Sequence, residues 1–375
     1  MNRMKIIAEI GTSHGGDIGR ARELIDLSVE SGADLVKFQW VYADEILHPD
    51  TGFVSLPGGR ARLYDRFREL EVGPGFFEEC LRHAHERGAL FICSPFGLRS
   101  LEELVSIGPD AIKIASPELN HIPLLERLAE LRKEHDIPVV ISSGVSRLAD
   151  IEEAVSILGR KSLTLLHCIT SYPAPEEEYN LRLIPNLSAV LGVPCGVSDH
   201  SLDPVLVPSV AAAVGGAMIE KHITLSKEGG GLDDPVALTG GQFSLMSHCV
   251  RQCEAAFRQY GDHAETYILR QLSEEYGDRV QRILGDGIKR LAPAEKENYG
   301  RTNRSIHLIR KMRKGETVTE KDIAVLRTEK ILSVGLHPRF LRTVIGSELT
   351  RDVESGAGLR WEDLLLPNSR RIPPE

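Results

Sequence analysis

The residues of this sequence with the most chemical potential sit at the ends of short apolar runs. In the stretch VPCGVSDHSLDPVLVPSVAAAVGGAMIEKHITL, Val193 to Leu225, one run closes in Ser198, Asp199 and His200 and the next in Glu220, Lys221 and His222. The stretch reads as strand, helix, strand, and strands buried on both faces do not select such polar types by packing. His200 and His222 therefore end adjacent parallel strands. In a closed barrel both imidazoles would point into the mouth where such barrels keep their active sites, close enough to share one divalent metal. Either histidine taken alone is more simply a hydrogen-bonded residue at a strand end. Their equivalent placement on neighbouring strands carries the metal reading.

Polar residues interrupt nearly every other apolar run as well. Glu9, Lys37, Gln39, Lys113, Ser116, Ser142, Ser143, His167, Ser198 and Glu220 all lie within or at the end of such a run. Lys37 with Gln39, Ser198 with His200 and Glu220 with His222 are spaced by two, so each pair shares one face of its strand. One reading is an internal salt-bridge network, because a buried lysine needs a partner such as Glu9 or Glu220. The other is a site for a phosphorylated or carboxylated ligand beside a metal, which two buried lysines, serine hydroxyls and a histidine pair suit better. Three loops would frame that mouth. Residues 41–73 form a long excursion punctuated by HPDTG and LPGGR, residues 170–181 (TSYPAPEEEYNL) carry Tyr172, and residues 226–238 (SKEGGGLDDPVAL) bring Asp233 and Asp234 behind a glycine run.

Positioning these residues requires a repeating scaffold. Eight apolar runs alternate with amphipathic stretches: 5–11, 34–39, 89–94, 111–116, 138–143, 163–168, 194–200 and 217–222. Helices fit between them, with Gly32 and Gly108 as expected helix stops. Eight such units in about 250 residues predict an α/β fold, a closed (β/α)8 TIM barrel. An open doubly wound sheet has less support, since no G-x-G-x-x-G follows the first run. Beyond residue 260 come a charged helical region and a polar connection, then short strands and turns at Lys314-Gly315 and Ser355-Gly356. The expected organisation is a barrel over 1–285, a linker over 286–303, a β-rich module over 304–366 and a tail over 367–375. A module of about 65 residues buries too little to be very stable alone and should pack on a barrel, its own or a partner's.

The bulk properties narrow the class. With 375 residues and a net charge of −9, nucleic acid and anionic membranes are disfavoured as partners. The six cysteines form no C-x-x-C pair and read as reduced structural thiols. The start, MNRMKIIAEIG, passes into a strand without a leader-like segment, and no run reaches membrane-spanning length, so a soluble cytoplasmic protein is expected.

The chain resembles the sialic acid synthases, which condense phosphoenolpyruvate with amino-sugars and include legionaminate, pseudaminate and spore-coat polysaccharide synthases. IIAEIGTSHGGD, GADLVKFQ, CSPF, IKIAS-PE, ISSGV, LLHCITSYPAPEEEYNL, GVSDHSL and IEKHITL carry the likeness in order, each near a predicted strand end. RSIHLIRKMRKGETVTEKDI and DVESGAGLRWEDL resemble the SAF (antifreeze-like, β-clip) domain of those enzymes.

The resemblance implies roles. His200 and His222 would hold a divalent metal, manganese before magnesium or cobalt. Lys37, Ser94, Lys113, Ser116, Ser142 and Ser198 would hold the phosphate and carboxylate of phosphoenolpyruvate. Glu9 would stand near the reacting carbons, Tyr172 and Asp233 would contact the acceptor sugar, and Gln39, Glu118 and Thr170 would be further substrate contacts. A domain-swapped homodimer is implied too, with Arg327 delivered from the SAF domain of one copy to the mouth of the other. The sequence departs from the family pattern on the acceptor side: GLDDPVAL replaces a common glycine-proline-aspartate-histidine run, Gly59 stands where some members have asparagine, and Thr170 occupies a position that can be asparagine. N-acetylmannosamine, a bacillosamine-derived sugar or a spore-coat type acceptor all remain open. The alternative is a catalytically silent protein that binds an acidic sugar or assembles a polysaccharide complex.

Overall fold

The computed structural model describes residues 3–56 and 59–365; the expected tail over 367–375 and Pro57-Gly58 of the LPGGR turn lie outside them. Eight parallel strands follow one another in chain order: β1 (Lys5–Gly11), β2 (Leu35–Trp40), β3 (Leu90–Pro95), β4 (Ala111–Ile114), β5 (Val139–Ser142), β6 (Leu163–Cys168), β7 (Cys195–Asp199) and β8 (Met218–Thr224). The last strand pairs with the first through Lys5 opposite Met218 to Glu9 opposite His222, so the eight strands close into a barrel, with a two-residue strand, Leu238–Thr239, added beside the end of β8. This is the predicted TIM barrel.

Strand alternation separates two sets of side chains. The outward set, Ile6, Ala8, Val36, Phe38, Phe91, Ile112, Ile141, Leu165, Val197 and Ile219 among them, joins one continuous core with the surrounding helices. The inward set begins with an apolar plug of Ile7, Leu35, Ile92, Ala111, Val140 and Leu166 at the bottom of the barrel. At the next inward level seven of the eight strands turn polar, with Glu9, Lys37, Ser94, Lys113, Ser142, Ser198 and Glu220 all buried, and β6 contributes Cys168. The plug excludes water from below, so this polar layer opens only to the C-terminal mouth.

The helices stop where their sequences say they should. Helix α1 (Ile18–Glu30) starts on Asp17, whose carboxylate accepts the Arg20 N–H, and ends before Gly32 at φ +94. Helix α2 (Pro74–Glu86) follows the long excursion after β2, which is built of a short helical turn (Ala43–Ile46), a hairpin (Phe53–Leu56 with Gly59–Arg62) and a helix (Leu63–Glu69). Val41, Ile46, Leu47 and Phe96 form a separate apolar cluster that anchors this excursion beside the mouth.

After helix α3 (Gly240–Tyr260), residues 264–284 are helical as expected. Residues 286–303 join the barrel to the C-terminal module and are themselves packed. Glu295 is buried and accepts the backbone N–H groups of Val145 and Thr170, and the Asn303 amide donates to the Val145 carbonyl. The module pairs β9 (Arg304–Leu308) with β10 (Ile323–Arg327) and β11 (Glu348–Leu349) with β12 (Leu364–Leu365) around its own small core of Ile306, Leu308, Met312, Val318, Val344, Leu349 and Leu359. It seats on its own barrel: the guanidinium of Arg304, fully buried, donates to Glu118, and Leu47 bridges to Arg327. No helix among the described residues is long and apolar enough to cross a membrane.

Candidate active site

The polar layer is a connected ion network. Lys37 Nζ lies 2.7 Å from Glu9 Oε2 and 3.4 Å from Glu220 Oε1, while Lys113 Nζ is 3.9 Å from Glu220 Oε2 and donates to Ser142 Oγ at 2.7 Å. Ser198 Oγ donates to Glu220 at 3.1 Å, and Gln39 Nε2 donates to Glu9 Oε1 at 2.6 Å. Burial alone would lower the Lys37 pKa, but Glu220 and Glu9 hold it above the ordinary lysine range. For Lys113 burial wins and the pKa falls. Glu220 is held down to about 2 against its own desolvation by Lys113 and Lys37. The internal salt-bridge reading of the two lysines is thus realised, and two cations face two anions in a water-poor chamber. Glu220, the shared partner of both lysines, was a candidate only for pairing; its central place comes from strand register.

Not every buried donor in the chamber is used within the chain. Ser94 Oγ and Thr170 Oγ1 are buried and have no partner among the described residues. Ser116 Oγ accepts the Gly144 N–H at 3.0 Å, and a Cβ on Gly144 would come within 2.0 Å of Thr170 Oγ1, so only glycine brings the backbone this close to both hydroxyls. Orphaned hydroxyls beside two lysines are the donor set a small phosphate or carboxylate requires.

His200 and His222 meet as expected, with ring centroids 5.5 Å apart. His200 Nδ1 lies 2.8 Å from the Ile169 carbonyl, which can only accept, so Nδ1 carries a proton and Nε2 is the nitrogen left for a ligand. Burial lowers the basicity of His200, but Cys168, whose Sγ is 3.9 Å from Nδ1, and the Ile169 carbonyl raise its pKa to about 9, so an ion taken up at Nε2 would displace a proton from it. His222 is lowered by burial, against the pull of Asp233, whose Oδ2 is 3.8 Å from Nδ1. No group of three or more His, Cys, Asp or Glu with metal-holding geometry occurs among the described residues. Two imidazoles with open positions fit an exchangeable catalytic ion completed by water and substrate oxygens, and do not fit a closed structural centre. Tyr172 stacks on His200 at 4.2 Å with 49% of its surface exposed, a lid over the histidine pair.

Behind His200 lies a support that sequence reasoning missed. Tyr179, fully buried, donates its hydroxyl to Asp199 at 2.7 Å and accepts the N–H groups of His200 and Ser201 at 2.7 and 3.1 Å. Lys221 pairs with Asp199 at 2.6 Å on the same outward face. The SDH and EKH triplets thus send alternate residues to opposite sides, Ser198, His200, Glu220 and His222 inward and Asp199 with Lys221 outward.

Glu118 and Arg327 meet within the chain. Glu118 Oε1 accepts from both Arg304 and Arg327 at 2.7 to 3.2 Å, while its buried Oε2 has no hydrogen-bond partner among the described residues. Arg327, which the resemblance assigns to the mouth of a second copy, here reaches Glu118 of its own chain and lies over the Phe96 ring.

A closed eight-stranded barrel with an acid, lysine and hydroxyl layer under a histidine pair, carrying a C-terminal β module, defines a (β/α)8-barrel protein with a polar C-terminal mouth and an appended small β domain. The NeuB family model matches residues 24–262 and the SAF domain model residues 303–365. The chain belongs to the NeuB family. It is 33% identical over 370 residues to spore coat polysaccharide biosynthesis protein SpsE of Bacillus subtilis (97% of this chain, 94% of that protein), whose crystal structure superposes with a TM-score of 0.78 over 97% of this chain and 96% of that one. N,N'-diacetyllegionaminic acid synthase of Campylobacter jejuni is 28% identical over 94% of this chain and 98% of its own length. The N-acetylneuraminic acid synthetase of Leptospira borgpetersenii, solved with citrate, matches at 28% identity and a TM-score of 0.59, covering 79% of this chain and 90% of that one.

Proposed function

We propose that this protein is a C–C bond-forming transferase of the EC 2.5.1 class that joins phosphoenolpyruvate to an N-acyl amino-hexose, giving a nine-carbon 2-keto acidic sugar and phosphate in the cytoplasm. The observation that supports this reading most directly is the barrel-mouth donor set: Lys37 and Lys113 beside the unpartnered Ser94 hydroxyl, under the His200 and His222 pair. The named synthases among its relatives support the same reading.

Lys37 and Lys113 would take the phosphate and carboxylate oxygens, with Ser94, Ser116, Ser142 and Ser198 supplying further hydrogen bonds. C3 of the enol attacks the aldehyde carbon of the open-chain sugar. The new C–C bond consumes the enol π pair and leaves C2 electron-poor, and the aldehyde oxygen takes up a proton. Glu9, joined to Lys37 and Gln39, would stabilise the charge at C2 and accept the proton of the water that adds there. The C2–O bond to phosphate then breaks with its electron pair leaving on phosphate, the C2 hydroxyl passes its proton to the departing phosphate as the C=O forms, and the 2-keto acid remains. His200 and His222 would hold a divalent ion, manganese before magnesium or cobalt, whose contribution would be Lewis-acid polarisation of the aldehyde. Tyr172, Asp233 and Thr170 would meet the sugar. The domain-swapped homodimer belongs to this proposal: exchange of modules between two copies would keep the Glu118–Arg327 contact but make it across the interface, and light scattering of the purified protein distinguishes the two arrangements.

The test is phosphate release from phosphoenolpyruvate across a panel of N-acyl hexosamines, with manganese and with chelator. Release with at least one sugar, lost on chelation and in His222→Ala, is expected. Intact phosphoenolpyruvate with every sugar and metal would overturn the reading. Thermal-shift binding of an acidic sugar without turnover would instead support the silent binding protein.

A further inference from the structure

The loop after β8 contains a buried carboxylate that the mechanism above does not use. Asp234 has no exposed surface. Its Oδ1 accepts from Ser13 Oγ at 2.7 Å and its Oδ2 from the Gly231 N–H at 2.7 Å, with Arg20 Nη2 3.6 Å from Oδ2. Arg20 also donates to the Gly229 carbonyl at 3.3 Å. One side chain therefore ties the glycine-rich loop to itself, to the loop that follows β1, and to α1.

The glycines are the shape of this socket. A Cβ on Gly229 would come within 2.5 Å of Arg20 Nη2 and 2.6 Å of Asp234 Oδ2, and one on Gly231 within 2.8 Å of the Asp234 carboxylate. The turn that follows, with the Val236 and Ala237 N–H groups donating to the Asp233 carbonyl at 3.1 and 3.0 Å, sends the two neighbouring aspartates apart. Asp234 goes inward. Asp233 stays partly exposed and comes within 3.8 Å of the His222 ring.

We propose that Asp234 is a positioning residue: by clamping the glycine loop onto Ser13 and Arg20 it fixes Asp233 beside His222 and so sets the affinity for the acceptor sugar. The kinetic half of this inference rests on the condensation reading, while the structural half does not. Asp234→Asn keeps the volume and can still accept from Ser13, but where its amide nitrogen replaces Oδ2 it meets the Gly231 N–H donor to donor. Gly231→Ala attacks the same socket from the other side and carries the test if D234N does not fold. Amide hydrogen exchange of the unliganded full-length protein should speed up about tenfold over residues 229–237 in either variant, the factor expected for a lost hydrogen bond to a charged group, with the barrel strands unchanged. Steady-state kinetics should show the acceptor KM raised about tenfold while the phosphoenolpyruvate KM stays within about twofold. Unchanged exchange of the loop in both variants, or equal rises in both KM values, would overturn the proposal. If the unmodified protein condenses no sugar, the condensation reading fails, and the exchange measurement still decides the clamp.

Discussion

Lys37 Nζ lies 2.7 Å from Glu9 Oε2 because β1 and β2 pair in the register that sets Glu9 directly beside Lys37. Both residues are buried, so the pair shapes the chamber and holds its charges apart from solvent. Removing the lysine leaves Glu9 and Glu220 as two carboxylates in a low-dielectric space. Lys37→Met should abolish phosphate release and destabilise the fold by about 3–5 kcal/mol, the cost of breaking a buried pair by deleting one partner. Denaturant unfolding beside the phosphate assay checks both, and a variant with full stability would show that the network carries no energetic weight.

The hydroxyl of Tyr179 organises the backbone on which His200 rides. Tyr179→Phe keeps the ring in the core but leaves the buried His200 N–H without its partner and takes one of two donors from Asp199 Oδ1, which keeps the Ser201 N–H. A loss of about 1–3 kcal/mol follows from unsatisfied buried polar groups. Manganese affinity, read by calorimetry, should fall with it, and an unaltered affinity would separate the Tyr179 support from the histidine pair.

Arg304 and Arg327 share Glu118, but not equally. Arg304 is fully buried and also donates to the Phe96, Glu45 and Val325 carbonyls. Arg304→Ala should cost about 3–5 kcal/mol and free the C-terminal module, whereas Arg327→Ala leaves Glu118 its buried partner and should cost less than half of that. Limited proteolysis in the 286–303 connection reads the release, and equal resistance of both variants would contradict the docking hierarchy.

Several histidines are buried uncharged. Burial lowers His14 to about 4, with Arg20 adding to it, His167 to about 3, with Lys289 adding to it, and His307 to about 4. Each folded-state pKa lies below the ordinary 6.5, so the unfolded chain binds protons first as the solution is acidified. The stability these groups contribute is complete above pH 6.5 and is lost as pH falls from there toward 3 to 4. From these three groups the melting temperature should therefore drop steadily below pH 6.5. A flat profile down to pH 4.5 would show that these imidazoles are protonated in the folded protein.

The barrel was legible because its signals are local. Apolar runs, strand-end polar residues and the spacing of two in SDH and EKH need only strand geometry to place His200, His222, Glu220 and Ser198 on one inward face. The compact C-terminal module was legible for the same reason, as short strands between turns. Residues 286–303 read as a plain linker because nothing in a polar stretch announces that Glu295 will cap two distant N–H groups.

Sequence by itself determined the alternation of strands and helices, the polar layer and the pair of imidazoles, since each follows from periodicities of two and 3.6 along a few neighbouring residues. Tertiary structure alone decided that Glu220 is shared by two lysines, that Glu118 is claimed by Arg304 and Arg327, and that Asp233 and Asp234 face opposite ways. Partners that lie between 107 and 221 positions apart in the chain meet only after the barrel closes, and charge pairing depends on the distance reached then, which no local pattern encodes.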